Sequence, residues 1–292
     1  MDKYKLYVDA AADIPKAERE RYQIGVLPIP VSIGERTWQS GAELDNEEFY
    51  QLMERSDVIP VTSQITPYAF EKLYAKELAE GTRRLILILI NAKGSATYAN
   101  AVATRERFYA ETPDAAERME IHLFDGASYS GGYGYAAILA AQKLEMGMPV
   151  EEALALIGEQ LQKQRVCFGL YTLKYAGKSG RIPSAAVFVG EALGIKPIMM
   201  IRDHEITTAG KARGEKKLIK EIIKLTLSDM EPGTPYSLVY GSDAAVLEEM
   251  ADETTKRLGY PPVYRFQIGA AIAINAGPRV AGMIYEARRK KR

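Results

Sequence analysis

Short apolar runs alternate with stretches of helical periodicity along the first half of the chain. The runs at 5–8, 58–61, 84–90 and 121–124 are typical of strands. Apolar residues recur every three to four positions at 67–80, 97–110 and 131–146, which predicts a helix after each of the last three strands. This alternation predicts an α/β fold whose first half is a mainly parallel sheet with helices on both faces.

The second half shows a different order of elements. It predicts strands at 166–170, 198–202, 205–209, 237–240 and 263–268, with helices at 150–164, 184–192, 215–230 and 244–258. The strands on either side of Asp203-His204 form a hairpin with a two-residue turn. We therefore predict two domains, an α/β domain at 1–160 and an α+β domain at 161–292, with a ligand between them.

One segment interrupts the first series. Residues 25–54 contain two prolines and the only tryptophan, Trp38. We interpret this segment as an extended or antiparallel excursion at the edge of the sheet, followed by a short helix from Asn46.

Composition narrows the possible partners. The 292 residues carry 38 Lys and Arg against 38 Asp and Glu, and this balance argues against general nucleic-acid binding. Cys167 is the only cysteine and there are two histidines, so neither an internal disulfide nor a Cys/His metal site is expected. Without an apolar leader or a run of about 20 apolar residues, the chain is expected to be cytoplasmic and not inserted in membranes.

Hydroxyl side chains gather in the loops that follow the predicted strands. The loops at 62–66 and 91–97 carry Thr62 and Ser95 shortly before a helix, where free backbone N–H groups favour an anion. Each hydroxyl could equally be an ordinary helix cap. If both loops meet at the same edge of the sheet, they form a site for a small carboxylate or phosphate.

Motifs for enzymatic chemistry are missing from the sequence. It has no P-loop, no dinucleotide-binding glycine motif and no nucleophile elbow. His122 falls within a predicted strand and His204 in the hairpin turn, where exposure is expected, so neither is a good candidate for activating a serine. Asp9 and Asp13 flank the first loop without the spacing typical of phosphoryl transfer on aspartate. The hydroxyl groups suit holding a ligand rather than reacting with it.

Four segments together resemble the DegV family of bacterial fatty-acid-binding proteins, in an order and spacing that agree along nearly the whole chain. They are Thr62-Ser63-Gln64-Ile65-Thr66-Pro67, Ser95-Ala96-Thr97-Tyr98, Gly177-Lys178-Ser179-Gly180-Arg181-Ile182 and Gly194-Ile195-Lys196-Pro197-Ile198.

The resemblance implies a two-domain carrier that encloses one long-chain fatty acid and presents it to a separate ATP-dependent fatty acid kinase, for phospholipid synthesis. It needs no cofactor or metal. The carboxylate would be bound by Thr62 and Ser95, with Ser63, Thr97 and Asn275 as further ligand-binding candidates. Arg181 and Arg202 are candidates to meet the kinase. Candidates for the lining of an apolar tunnel are Val187, Phe188, Leu193, Ile198, Met199 and Met200.

The chain departs from the family pattern at two places. The usual Ser-Ser-x-Leu-Ser-Gly-Thr-Tyr segment here begins at Asn91 and has Gly94 in place of leucine. The usual Gly-Thr-His-Thr-Gly-Pro-Gly segment has Asn275 in place of histidine, and an amide cannot carry charge. Lys93 could supply a cation or could be a solvated loop lysine.

Two other hypotheses compete with a carrier. One is an enzyme acting on a small phosphorylated or carboxylated metabolite through Asp9, Asp13 and the same loops. The other is a regulator that binds a partner and has lost its ligand, which the replacement at Asn275 favours.

Overall fold

A computed structural model describes residues 3–182 and 194–288. The predicted helix at 184–192 therefore lies outside the described residues, as do Val187, Phe188 and Leu193. The strands are β1 (Tyr4–Asp9), β2 (Gly25–Leu27), β3 (Ile29–Ile33), β4 (Arg36–Ser40), β5 (Val61–Thr62), β6 (Arg84–Leu89), β7 (Glu120–Asp125), β8 (Gln164–Leu170), β9 (Ile195–Arg202), β10 (Glu205–Arg213), β11 (Tyr236–Tyr240), β12 (Arg265–Gln267) and β13 (Val280–Glu286).

The helices follow the predicted periodicity closely in most places. They are α1 (Lys16–Arg21), α2 (Asn46–Arg55), α3 (Pro67–Ala79), α4 (Thr97–Glu111), α5 (Ala115–Arg118), α6 (Gly131–Glu145), α7 (Val150–Lys163), α8 (Ala176–Ser179), α9 (Glu215–Asp229), α10 (Ala244–Leu258) and α11 (Ala270–Ala276), with a 3-10 turn at Ala10–Ala12. The boundary predicted between residues 160 and 161 falls in the last turn of α7 and stays a prediction.

The first half is built on a four-stranded parallel sheet in the order β2-β1-β6-β7. Residues 85–89 of β6 are all fully buried, as a central strand covered on both faces requires. Helix α6 contacts β1 and β6, and α4 contacts β7. The predicted α/β architecture of this half is confirmed.

Two details of the first sheet differ from the prediction. The segment predicted as a strand at 58–61 does not join the parallel sheet. Its observed part, β5, pairs antiparallel with β3 in a separate three-stranded sheet in the order β4-β3-β5. The edge position beside β1 is taken instead by β2, which comes from the segment interpreted as an excursion. Apolar runs this short predict a strand but not its partner, because pairing is set by residues far away in the chain.

The second half is built on a six-stranded mixed sheet in the order β10-β9-β8-β13-β11-β12. Strands β9 and β10 form the predicted hairpin across Asp203-His204. Strand β13 lies between β8 and β11 and was not predicted from the sequence. The predicted α+β character of this half is confirmed.

Helix α6 also approaches the second sheet closely. A Cβ atom on Gly131 would lie 2.5 Å from side-chain atoms of Phe266 and Ile284, so only glycine fits at this point. Helix α6 contacts β8 as well as β1 and β6. Gly131 therefore allows close packing at the start of this helix.

Candidate functional site

Two adjoining cavities lie between the loops of the first half and the sheet of the second. One has mainly polar walls and about 530 Å³ of empty space, and the other has mainly apolar walls and about 540 Å³. Tyr129, Arg181, Ile272 and Asn275 line both cavities. The two spaces therefore share a wall, which presents both polar and apolar side chains.

The polar cavity brings together the two predicted hydroxyl loops. Thr62 and Ser63 line it from the end of β5, and Ser95 lines it from the loop between β6 and α4. Gln64 also lines this cavity and was not singled out from the sequence, although it lies within the quoted motif. Strand β5 belongs to the three-stranded sheet and not to the parallel one. The two loops meet where the Ile65 N–H donates to the Thr97 hydroxyl.

Thr97 has a different position from the other hydroxyl residues. Its side chain is fully buried and is absent from the described lining of both cavities. Its hydroxyl accepts a hydrogen bond from the Ile65 N–H at 3.1 Å and lies 3.0 Å from the Ser95 hydroxyl. Asn100 adds a hydrogen bond to the Ile65 carbonyl at 2.8 Å. Thr97 thus ties the two hydroxyl loops together.

Asn275 lies on α11, a short helix that the sequence did not predict. Its Nδ2 donates to the Ala271 carbonyl at 3.1 Å, so one of its two amide hydrogens is used within the helix. The side chain is half-buried and lines both cavities. The remaining amide hydrogen and the amide oxygen are the groups with which Asn275 could meet a ligand.

The apolar cavity is lined by side chains from the second sheet and from α11. Besides the shared wall, these are Ser130, Val166, Phe168, Ile182, Ile201, Ile206, Val239, Ile268, Ala276 and Val280. The predicted tunnel residues Ile198, Met199 and Met200 are not among the lining residues that the structure describes. Ile198 and Met200 project to the opposite face of β9 and pack in another cluster, whereas Met199 is fully buried in the core.

The candidate cations differ in their relation to the site. Arg181, predicted to face a partner, lines both cavities, and its Nε lies 3.5 Å from the Gly94 carbonyl. Arg202 is exposed and forms an ion pair with Asp203 at 3.7 Å. Lys93 is exposed and pairs with Glu205, and it is not among the described lining residues. Arg181 therefore supplies the positive charge nearest the shared wall.

The two aspartates of the first loop have structural partners. Asp9 is fully buried and accepts hydrogen bonds from Tyr133 Oη, Ile90 N–H and Ala11 N–H, while burial raises its pKa to about 6. Asp13 Oδ1 accepts from the Gly269 N–H at 2.8 Å, and burial raises its pKa to about 8. Neither lines a cavity.

The two histidines are both engaged with neighbouring side chains. His204 was expected to be exposed, but it is half-buried, with Nδ1 lying 3.0 Å from Asn91 Oδ1 and 3.5 Å from Asp125 Oδ2. The turn folds back onto the loops of the first sheet, which the local sequence could not show. His122 lies in β7, where burial lowers its pKa.

Tyr129 is one of two residues of the shared wall, with Ile272, that sequence analysis did not select. It belongs to the loop between β7 and α6. A bulky phenol among small residues in such a loop was the available signal.

Among the described residues, no group of three or more His, Cys, Asp or Glu side chains is arranged to hold a metal ion. In the same ranges, no helix has the length and apolar character needed to cross a membrane.

Comparison with known proteins gives the same family along nearly the whole chain. The model of the DegV family (COG1307) matches residues 3–288. A DegV domain-containing protein of Caldanaerobacter subterraneus is 27% identical, covering 98% of this chain and 99% of its own length. A Thermotoga maritima protein named fatty acid-binding protein is also 27% identical, covering 99% and 100%.

Solved structures agree with this assignment. The structure titled "Fatty Acid Binding of a DegV family Protein from Thermus thermophilus" superimposes with a TM-score of 0.84 at 26% identity, covering 98% of this chain and 100% of that chain. The match of the family model and the fold together lead to one conclusion: the chain belongs to the DegV family.

Proposed function

We propose that this protein binds one long-chain fatty acid, with the carboxylate in the polar cavity and the acyl chain in the apolar one. The observation that carries the proposal is the wall that the two cavities share, formed by Tyr129, Arg181, Ile272 and Asn275. The names of the Thermotoga and Thermus relatives support the same ligand class.

The polar cavity suits a carboxylate that is bound and not chemically changed. Thr62, Ser63 and Ser95 offer neutral hydroxyl donors, and charged acceptors form strong hydrogen bonds with such groups. Arg181 provides a positive charge where the family's histidine is replaced by Asn275. The enzyme hypothesis gains no support from Asp9 and Asp13, because their carboxyl groups accept hydrogen bonds from the backbone and neither is among the described lining residues of the two cavities.

Analysis of the purified protein by native mass spectrometry tests the proposal. We expect one fatty acid per chain, either co-purified or taken up on incubation with saturated acids of about 14 to 18 carbons. Methyl esters of the same chain length serve as the matched ligands without a charged head group, and we expect them to bind more weakly. A protein that stays empty with every acid, or that is stabilised by phosphate esters and turns one over, would contradict fatty-acid binding.

We further infer that the bound acid is presented to a separate ATP-dependent kinase, which forms an acyl phosphate. The exposed Arg202 follows Ile201, a lining residue of the apolar cavity, so a partner that contacts Arg202 comes close to the ligand. Arg202→Ala should keep fatty-acid affinity and reduce acyl phosphate formation when kinase and ATP are added. Lys224→Ala, on α9, is the matched control for loss of an exposed cation. Equal turnover in both variants would exclude Arg202 from the kinase contact.

A further inference from the structure

Tyr129 lies where the polar cavity meets the apolar one. Its side chain is half-buried and lines both spaces. Of the residues with which it shares this wall, Ile272 is apolar, Arg181 carries a charge, and the Asn275 amide is partly used within α11. The phenol is therefore a neutral polar group at the point where the polar head of a ligand would pass into its apolar tail.

The hydrogen bonds around Asn91 determine whether the Tyr129 hydroxyl is a donor or an acceptor toward it. Asn91 Oδ1 accepts from the Lys93 N–H at 3.1 Å, and Nδ2 donates to the His204 carbonyl at 2.8 Å. These two backbone partners fix the orientation of the amide. The same Nδ2 lies 3.2 Å from Tyr129 Oη and can only donate to it.

The Tyr129 oxygen is thus an acceptor for Asn91, and its own hydrogen is left to donate. Across the two described ranges, this O–H donates no hydrogen bond. Burial raises the pKa of Tyr129, so the phenol keeps its proton at neutral pH. A protonated phenol with a spare hydrogen is a suitable donor to an anion.

The loop that carries Ser95 leaves room for this phenol. A Cβ atom on Gly94 would lie 2.2 Å from Tyr129 Oη, so any larger residue would displace the hydroxyl. The absence of a side chain at Gly94 places the phenol against the backbone next to Ser95, which lines the polar cavity. The two groups can therefore reach the same ligand atom or its neighbour.

We propose that the Tyr129 hydroxyl donates a hydrogen bond to the carboxylate of the bound fatty acid. Asn91 holds the phenol in place by donating to its oxygen. This inference rests on the proposed function and adds a donor that neither hydroxyl loop contains. The inference also accounts for the lack of a side chain at Gly94, which leaves room for the phenol.

Tyr129→Phe removes the hydroxyl and keeps the ring, so it tests the donor directly. We expect palmitate to bind about 10- to 150-fold more weakly, the range for losing one hydrogen bond to a charged group. Tyr68→Phe makes the same chemical change at an exposed tyrosine and should bind as the wild type does. Palmitate labelled with ¹³C at the carboxyl carbon provides a second measurement, because loss of a donor should raise the pKa of the bound acid.

The outcomes separate this inference from the proposed function. A wild-type protein that binds no fatty acid overturns the proposed function itself. A wild type that binds palmitate, with unchanged affinity and carboxyl pKa in Tyr129→Phe, overturns only the role of Tyr129. A crystal structure of the wild-type complex gives an answer that does not depend on the variant. A carboxylate oxygen within about 3.2 Å of Tyr129 Oη supports the inference, and a carboxylate beyond hydrogen-bond distance contradicts it.

Discussion

Individual hydroxyl groups around the polar cavity have separable roles. Thr62 and Ser95 line the cavity, whereas Thr97 lies behind it and ties the two loops through Ile65. One group of side chains would contact the ligand and the other would hold the first group in place. Substitutions that remove only a hydroxyl can distinguish these roles.

Thr62→Val should weaken fatty-acid binding by about 1 to 3 kcal/mol, because a charged acceptor would lose one donor. Titration calorimetry with palmitate measures the effect, and Thr62→Ser is the control because it keeps the hydroxyl. If the valine and serine variants bind equally well, Thr62 does not contact the carboxylate.

Thr97→Val should instead lower the free energy of unfolding. The buried Ile65 N–H would lose its acceptor, at a cost of about 1 to 3 kcal/mol. Chemical denaturation measures this change, and Thr97→Ser should retain most of the stability. A valine variant as stable as the wild type would show that the two loops are held by other contacts, such as those of Asn100.

The hairpin of β9 and β10 shows how one element joins the two halves. Asp203 and His204 have φ values of 50° and 71°, so the turn occupies the left-handed region that favours glycine. His204 nevertheless contacts Asn91, in the loop after β6, and Asp125, the last residue of β7. The His204 N–H also donates to the Ala127 carbonyl at 3.2 Å. His204 therefore combines an unfavourable backbone conformation with contacts to the first half of the chain.

Two substitutions separate strain from contact at this turn. His204→Ala keeps the strained φ and loses the imidazole, so it should be less stable than the wild type. His204→Gly loses the same contacts but relieves the strain, and we expect it to be about 1 kcal/mol more stable than the alanine variant. Thermal and urea unfolding of the three proteins measure the order. An alanine variant equal in stability to the glycine variant would show that the φ of 71° costs nothing here.

Elements with a clear period or turn signal could be predicted from the sequence. Helix α3 begins as expected, with Thr66 accepting from the Ala69 N–H and Pro67 in the first turn. The central strand β6 and the hairpin at Asp203-His204 were also recognisable. By contrast, α11 is short and buried on nearly all sides, so it has no polar face to reveal a helical period. Strand β13 is an apolar run interrupted by Gly282, and only its pairing with β8 and β11 defines it.

The site could be predicted only in part, because one sequence shows local signals and not spatial neighbours. Thr62 and Ser95 were found because hydroxyl groups before helices are a local signal. The leucine replaced by Gly94 was visible as well, but its meaning depends on Tyr129, 35 positions later in the chain. Spatial pairs of this kind cannot be identified from one sequence without a structure.

At the scale of the whole molecule, balanced charge and anion binding are compatible. The 38 basic and 38 acidic side chains give no net charge to attract an anion from a distance. Recognition would therefore depend on hydroxyl donors and one arginine at the cavity, together with apolar contact along the acyl chain. Binding of such a ligand should depend only weakly on salt, because few exposed charges take part.

The carboxyl group of Asp13 connects the first loop of the chain with Gly269, near the other end of the chain. Asp13 Oδ1 accepts from the Gly269 N–H, immediately before α11, which carries Asn275. Its other oxygen, Oδ2, is buried, and burial raises the pKa of Asp13 by more than the Ser130 side chain lowers it. Burial raises the pKa of Asp13 to about 8, so the folded protein binds a proton here that the unfolded chain releases near pH 4.

This difference gives a defined pH dependence of stability. Between about pH 4 and pH 8 the folded state holds more protons at Asp13 than the unfolded state does, so this group lowers stability as the pH rises. Asp13→Asn keeps an oxygen to accept from Gly269 and cannot ionise. Its stability relative to the wild type should therefore increase with pH, by up to about 4 kcal/mol between pH 5 and pH 8.5, since one pKa unit corresponds to about 1.4 kcal/mol. Asp13→Ala, which loses the acceptor, should be destabilised at both pH values. Urea unfolding at pH 5 and pH 8.5 measures the stability of the wild type and both variants. A difference between Asp13→Asn and the wild type that stays constant with pH would mean that Asp13 is ionised in the folded protein.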